Sequence, residues 1–487
     1  MTDHFSAQGE PLSPTHLSPT ALAHASGVPA HLFASPEVPI ERAALHDALR
    51  LLDLHAAART LDPALGVEAL ALTPDLHRAS PAPVGTALLT RGFLTPHLIG
   101  NDLGCGMRLH LTGLRADDLR PHLDALEREL RAVFFQGRRA LSLSGRQREA
   151  LLRGGVPELL AAPRPADQGG LWDLLGAQEP GPAPQVPFVH GPLDGVQDWL
   201  GDRERASFDT QLGSVGGGNH FVEVQEVAAA LDRHAAYAWG VRPGEVVVMV
   251  HSGSLGFGHL FGAQLRAWAQ AVPGAPMPLL PDGHPGVPGV LDALHAAAHL
   301  ASGNRLILAC MVRSALGRAL PPGVLADDQP FPALSDAPHN FIWSAGDGRW
   351  LHRKGATPAT APGPQTPYGE PVLIPGSMGD FSYLLAGQGH PLALGSASHG
   401  AGRRQPRGAA MRLSDADLRR ALDTLRVVTP IDLRAARADI RARALSALKQ
   451  EAPGAYKAVT PVIDTHARAG LARPVAALRP LLTVKSL

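Results

Sequence analysis

Val246-Val247-Val248-Met249-Val250-His251-Ser252-Gly253-Ser254 is the stretch on which the fold turns. Its five leading residues are all apolar and mostly β-branched, which predicts a strand covered on both faces. The end of that strand carries chemistry, a histidine followed by small polar residues and glycine. Open sheets often hold ligands at strand ends, so His251 is a candidate ligand. A capped helix start over 252–254 is the rival reading.

Other segments of the same character lie on both sides. Gly213-Ser214-Val215-Gly216-Gly217-Gly218-Asn219-His220-Phe221-Val222-Glu223-Val224 opens on three glycines, whose entropic cost suggests close approach of the backbone to something. The alternation after it puts His220, Val222 and Val224 on one face and Phe221 and Glu223 on the other. A bare flexible loop is the alternative. In Ile99-Gly100-Asn101-Asp102-Leu103-Gly104-Cys105-Gly106-Met107, Asp102 and Cys105 can converge on one point. Carboxylate plus thiolate makes half of a metal site, and a tight turn with a buried cysteine is the bland equivalent.

Downstream, His339-Asn340-Phe341-Ile342-Trp343 leads a hairpin that turns at Gly346-Asp347-Gly348 and returns to Arg353-Lys354-Gly355-Ala356. A small-residue loop, Pro375-Gly376-Ser377-Met378-Gly379, precedes Ser382. Then comes Ser396-Ala397-Ser398-His399-Gly400-Ala401-Gly402-Arg403, where residues too small to shield it surround a histidine. Arginine offers a planar fork for phosphate oxygens. His399 can be read as a base, a metal ligand or a nucleophile, or as an ordinary surface histidine.

The whole chain sets the limits. Its 487 residues are 45% hydrophobic and 18% charged, as in globular proteins. A formal net charge of zero means that any nucleic-acid contact must come from a local basic patch. Two cysteines, Cys105 and Cys310, cannot build a disulfide framework. Cys310 lies among Leu306, Ile307, Leu308 and Met311 and reads as core. No apolar run is long enough to span a bilayer and no signal-peptide pattern is seen, so a cytoplasmic location without membrane attachment is expected. Residues 1–38 read as a loosely ordered lead-in and 39–487 as one catalytic domain, with a surface insertion rich in Pro and Gly near 163–187. Helices are predicted over 40–58, 115–133, 263–272 and 296–320, and another from Ser414 with a capping-box pattern. Short buried strands alternating with helices, and ligand candidates scattered along the chain, predict an α+β fold with a single large core.

Asp102, Cys105, His220, His251 and His339 together offer O, S and N donors, a set open to zinc, manganese, iron or cobalt. With the phosphate-type loops they point to a metal-dependent enzyme acting on phosphates. The segments over 100–107 and 216–223, His251 to Ser254, His339-Asn340, Arg353 to Ala356, Pro375 to Gly379, Ser396 to Arg403, Ala452-Pro453-Gly454-Ala455-Tyr456-Lys457 and Lys485 resemble, in order, the motifs of the RtcB-type RNA-splicing ligases.

That resemblance implies a single α+β domain with mixed sheets flanked by helices. It implies two manganese ions held by Asp102, Cys105, His220, His251 and His339. His399 would be the nucleophile that takes GMP from GTP and releases pyrophosphate. Guanylate contacts would fall on Asn219, His220, Phe221, Val222, Glu223, His339, Asn340, Pro375, Gly376, Ser377, Met378, Ser382, His399, Gly400, Ala401, Gly402 and Lys485. The substrates would be RNA ends carrying a 2′,3′-cyclic phosphate or 3′-phosphate and a 5′-hydroxyl, in tRNA splicing or RNA repair. Members of the family can work with an archease-like activator, and a monomer is expected. Two departures stand out. Asp75-Leu76-His77-Arg78-Ala79-Ser80 keeps the acid and histidine of a family motif but not its glycines and lysine. Leu255 replaces an arginine. A metal-dependent phosphodiesterase or phosphatase acting on RNA ends without joining them is the competing reading.

Overall fold

The computed structural model describes residues 17–166, 168–178, 186–326 and 330–486. The opening stretch is the strand Glu245–Ser252, buried along its whole length. Val246, Val248 and Val250 pack into the largest apolar cluster, while Val247 and Met249 enter a second on the opposite face. Burial on both faces is why the strand reads as an unbroken apolar run.

This strand lies inside an eight-stranded sheet. The path runs Ala333–Pro338, Gly106–Arg115, Glu245–Ser252, Phe221–Ala230, Ala472–Val484, Ser382–Gly387 and Pro371–Ile374, with Arg426–Val428 added in parallel on Ala472–Val484. Register explains how distant residues meet. Ser252 pairs with Gly106, His251 with Met107 on one side and Phe221 on the other, and Pro338 with Gly106. Cys105, His220, His251 and His339 therefore stand at one end of four neighbouring strands.

A six-stranded sheet runs Thr20–Ala21, Ala30–Leu32, Gly66–His77, Val84–Arg91, Arg349–Lys354 and Asn340–Gly346. Its hairpin forms as the sequence predicts, with Asn340 paired to Lys354. One parallel pair, Ala30–Leu32 with Gly66–His77, makes this sheet mixed too. A two-stranded ribbon, Ala356–Pro358 with Ser396–Ser398, delivers His399 beside the hairpin.

The 33-residue helix Val287–Ala319 runs through the largest cluster and is buried on all sides along its middle. Cys310 is core, as expected, and burial pushes its thiol up to about 12. A helix buried all round has no polar face, so periodicity finds its middle and misses its first turns.

Other boundaries also differ from the sequence reading. The segment 115–133 begins as the end of a strand, Gly106–Arg115, and becomes helical in two pieces, Ala116–Leu119 and Leu123–Phe135. A tighter turn, Arg120–His122 with Pro121 at its middle, separates them. The helix expected over 263–272 is Leu255–Ala267. Residues 1–16 lie outside the described residues, but 17–38 include two paired strands and the fully buried Phe33. Within 163–187, a short helix Leu171–Gly176 packs into the core, while 167 and 179–185 lie outside the described residues. A helix follows Ser414, at Asp415–Thr424, without a capping hydrogen bond from the serine side chain. Among the described residues, no helix is long and apolar enough to cross a membrane.

Candidate active site

Cys105, His220 and His251 bring one donor atom each to within 4.8 Å of one another and could hold a metal ion. Cys105 Sγ lies 3.2 Å from His220 Nε2 and 3.3 Å from His251 Nε2. His339 and Asp102 join the rim: His339 Nε2 stands 3.3 Å from His251 Nε2, and Asp102 Oδ2 stands 2.9 Å from His220 Nε2. Burial, with the neighbouring imidazoles, holds His251 and His339 well below the usual histidine range, so both rings are neutral donors. Burial and the adjacent Asp102 push the Cys105 thiol well above its ordinary value.

The donor set fits a borderline divalent cation. Three imidazole Nε2 atoms and a sulfur converge, and at most some of those contacts can share a proton. The buried Nδ1 atoms of His220 and His339 have no hydrogen-bond partner, so neither ring is held by its far side. Rings aimed at a common centre in this way are poorly satisfied as a purely structural cluster.

His399 stands against this cluster. Its ring centroid is 4.7 Å from that of His339 and 6.4 Å from that of His251. Its Nδ1–H donates to Asp75 Oδ2 at 2.7 Å, and its backbone N–H reaches the same oxygen at 3.2 Å. Thr73 Oγ1 donates to the other carboxylate oxygen at 2.6 Å. Asp75 is fully buried. Burial alone would raise its pKa, but the hydrogen bond and charge of His399, with the Thr73 bond, hold it at about 2. The ring is thus fixed with Nδ1 engaged and Nε2 free for chemistry. Space is tight here: a Cβ on Gly402 (φ +80) would stand 2.4 Å from Asp75 O, and one on Gly355 (φ +59) would stand 3.1 Å from the His399 ring.

A cavity of about 1020 Å³ opens beside His399. Of the predicted nucleotide contacts, Asn219, Phe221, Glu223, Pro375, Gly376, Ser377, Met378, His399, Gly400, Ala401, Gly402 and Lys485 line it. Val222 instead points into the core, Ser382 accepts a hydrogen bond from Gln225 at 2.9 Å, and Asn340 holds Gly355 N and Asp102 O. His220 and His339 stand behind the wall, in the ligand cluster. Burial pushes Glu223 up to about 7 against the lowering effect of Gln225, Thr483 and Lys485.

The sequence model described as tRNA-splicing ligase RtcB matches residues 57–486. The tRNA-splicing ligase RtcB of Thermococcus kodakarensis is 32% identical over 474 residues, which cover 90% of this chain and 93% of that one. The RNA-splicing ligase RtcB of Mycobacterium tuberculosis is 32% identical over 446 residues, 85% of this chain and 95% of that one. The chain belongs to the RtcB ligase family. It is an enzyme of the RNA ligase class.

Within this RtcB fold, several residues at the candidate site carried no role in the sequence reading. Asp75 was visible only as a surviving acid in a divergent motif, 324 residues from its partner His399. Glu451, at the end of a helical tail, gathers Arg403 Nη2 at 2.7 Å, Tyr456 Oη at 2.8 Å and Lys485 Nζ at 3.1 Å. Arg403, expected to hold phosphate, is therefore tied to the protein itself, and its guanidinium lies 4.7 Å over the Tyr456 ring. Glu41, Asp47 and Arg50, close to the supposed lead-in, form part of the cavity wall. No periodic pattern could have signalled these residues.

The first of the two departures lies on the same cavity, through His77, Arg78, Ala79 and Ser80. Arg78 pairs with Asp47 at 3.1 Å. Where a lysine is missing near Ala79, Lys354 reaches across from the hairpin and donates to Ser80 O at 3.1 Å. Burial lowers that lysine to about 8. Leu255 begins its helix at φ +56, a strained conformation for a branched side chain.

Proposed function

We propose that this enzyme joins RNA ends carrying a 2′,3′-cyclic phosphate or 3′-phosphate to 5′-hydroxyl ends, using GTP and manganese through a His399–GMP intermediate. The observation that carries the proposal is the Asp75–His399 pair at 2.7 Å, set between a buried donor cluster and a nucleotide-sized cavity.

In this reading His399 Nε2 attacks the α-phosphorus of GTP. A P–N bond forms as the bond to pyrophosphate breaks, and Asp75 stabilises the charge that develops on the ring. Glu223 accepts from the guanine edge, with Lys485 and the loop over 375–378 closing the base and ribose side. Gly400 and Gly402, without side chains, let the phosphates approach the main chain closely. Asp102, Cys105, His220, His251 and His339 would hold manganese, which supplies charge neutralisation at the phosphate oxygens. An RNA 3′-phosphate then takes the GMP from His399, and the 5′-hydroxyl of a second end displaces it. Lys354 and Arg407 supply local positive charge on a chain of zero net charge.

Incubation with α-labelled GTP and manganese, followed by a denaturing gel, tests the nucleophile. Labelled protein that is acid-labile and absent in His399→Ala is expected, and label retained in that variant would remove the assignment. RNA opened at its cyclic phosphate but never joined would favour the phosphodiesterase reading.

A further inference from the structure

Asn304 and Arg305 are adjacent, fully buried residues in the middle of the helix Val287–Ala319. Arg305 Nη1 donates to Gly104 O at 2.9 Å and Ser252 O at 3.0 Å, and its Nε donates to Asp336 Oδ1 at 2.7 Å. Asn304 Oδ1 accepts from Gly213 N at 2.8 Å, while its Nδ2 donates to Ser214 O at 3.1 Å and Ser252 Oγ at 3.0 Å.

Each of these partners adjoins one ligand-bearing segment. Gly104 precedes Cys105, Ser252 follows His251, Asp336 stands three residues before His339, and Gly213 and Ser214 open the loop that ends at His220. The first of those loops also lies directly on the helix, since a Cβ on Gly104 would stand 2.7 Å from Ala298 Cα. Neighbouring residues on a helix point about 100° apart, so one dipeptide can face two sets of loops.

We infer that Asn304 and Arg305 are the positioning residues of the metal centre, one helical dipeptide that fixes the four segments carrying Cys105, His220, His251 and His339 relative to one another. Donor atoms must be held within about 0.5 Å of a productive arrangement. The strand register brings the four segments together, but those of Cys105, His220 and His251 adjoin glycines and need a rigid reference. Lysine at 305 would keep a charge but lacks the planar fork that serves the two carbonyls through Nη1 and Asp336 through Nε at once.

The inference rests on the metal-site reading given under Proposed function, and the test separates the two. Metal-free protein is titrated with Mn2+, with free ion followed by electron paramagnetic resonance, and with Co2+, followed by its thiolate and ligand-field absorption. Arg305→Lys and Asn304→Ser are expected to weaken binding about 10–100-fold, the usual effect of losing a supporting partner, and to shift the Co2+ spectrum. Arg131→Lys serves as control. It disturbs another buried arginine, bound to Glu127 at 3.0 Å, without touching a ligand-bearing segment. It should lower the melting temperature and leave both metal readouts unchanged. Wild-type affinity and spectrum in Arg305→Lys and Asn304→Ser would overturn the inference, as would an equal loss in the control. If Arg305→Lys does not fold, Asn304→Ser decides. Failure of the wild-type protein to bind either ion would instead overturn the metal reading itself, and this inference with it.

Discussion

The Asp75 carboxylate receives two hydrogen bonds from His399, from ring Nδ1 at 2.7 Å and from the backbone nitrogen at 3.2 Å. One bond alone would orient a ring that could still swing. The pair locks ring and main chain to one oxygen, while Thr73 secures the other. Lys457 Nζ donates to Pro74 O at 3.0 Å and Leu76 O at 2.8 Å, which fixes the strand on either side of Asp75.

Replacing that carboxylate should disable the nucleophile without removing it. Asp75→Asn keeps the shape but can favour the wrong tautomer of His399, an effect worth about 10⁴-fold in the related Asp–His arrangement of serine proteases. Formation of the labelled GMP adduct should slow about 10²–10⁴-fold. A wild-type rate in a time course would show that Asp75 is not needed to orient the ring.

Glu223 should make nucleotide binding depend on pH. Its carboxyl is held near 7 by burial, and the ionised form is the one able to accept from two guanine N–H groups. GTP affinity should therefore rise as pH increases from about 6 to 8. Glu223→Gln should flatten that profile and reduce discrimination between GTP and ATP at least about tenfold, the scale of one lost charge-assisted contact. Calorimetric titrations at several pH values provide the check, and an unchanged profile in the variant would exclude Glu223 as its source.

Metal removal should abolish guanylylation and Mn2+ should restore it. Cys105→Ala should lose that restoration, because the sulfur is central to the donor cluster, within 3.3 Å of two imidazole nitrogens. Labelling after chelation and metal return measures both effects. Full activity of Cys105→Ala at low Mn2+ would argue that the sulfur is not a ligand.

Glu451→Ala should destabilise the fold by about 3–5 kcal/mol, since it leaves the Lys485 ammonium and Arg403 guanidinium without their shared buried carboxylate. Denaturant unfolding gives the figure. A change below about 1 kcal/mol, the size of an exposed pair, would mean that the site opens to water when the acid is lost.

Thermal stability should fall as pH drops from 7 to 5. Burial holds His77, His295, His299 and His352 at about 4 in the folded protein, against about 6.5 in an unfolded chain. Between those values the unfolded state binds more protons, so acidification favours unfolding, and the stability present above about 6.5 is lost progressively towards 4. Melting curves across that range should show a steady decline. A melting temperature that holds constant would mean that these histidines are not buried as neutral groups.

The sequence carried the family, the strand Glu245–Ser252, the hairpin and the chemistry of the ligand-bearing segments, because each depends on residues close together in the chain. Valine repeats pack as strands whatever lies elsewhere. Helix limits were less legible where burial on all sides removes the periodic signal, as in Val287–Ala319.

Only the tertiary structure decided which residues work together. The register of four strands sets Cys105 beside His220, His251 and His339, and the ribbon Ala356–Pro358 with Ser396–Ser398 brings His399 to Asp75. It also turned Arg403 towards Glu451, and placed Asn304 and Arg305 behind the ligand loops. Pairing over hundreds of residues leaves no local pattern, since a carboxylate or arginine looks the same in sequence whether solvent or a histidine faces it.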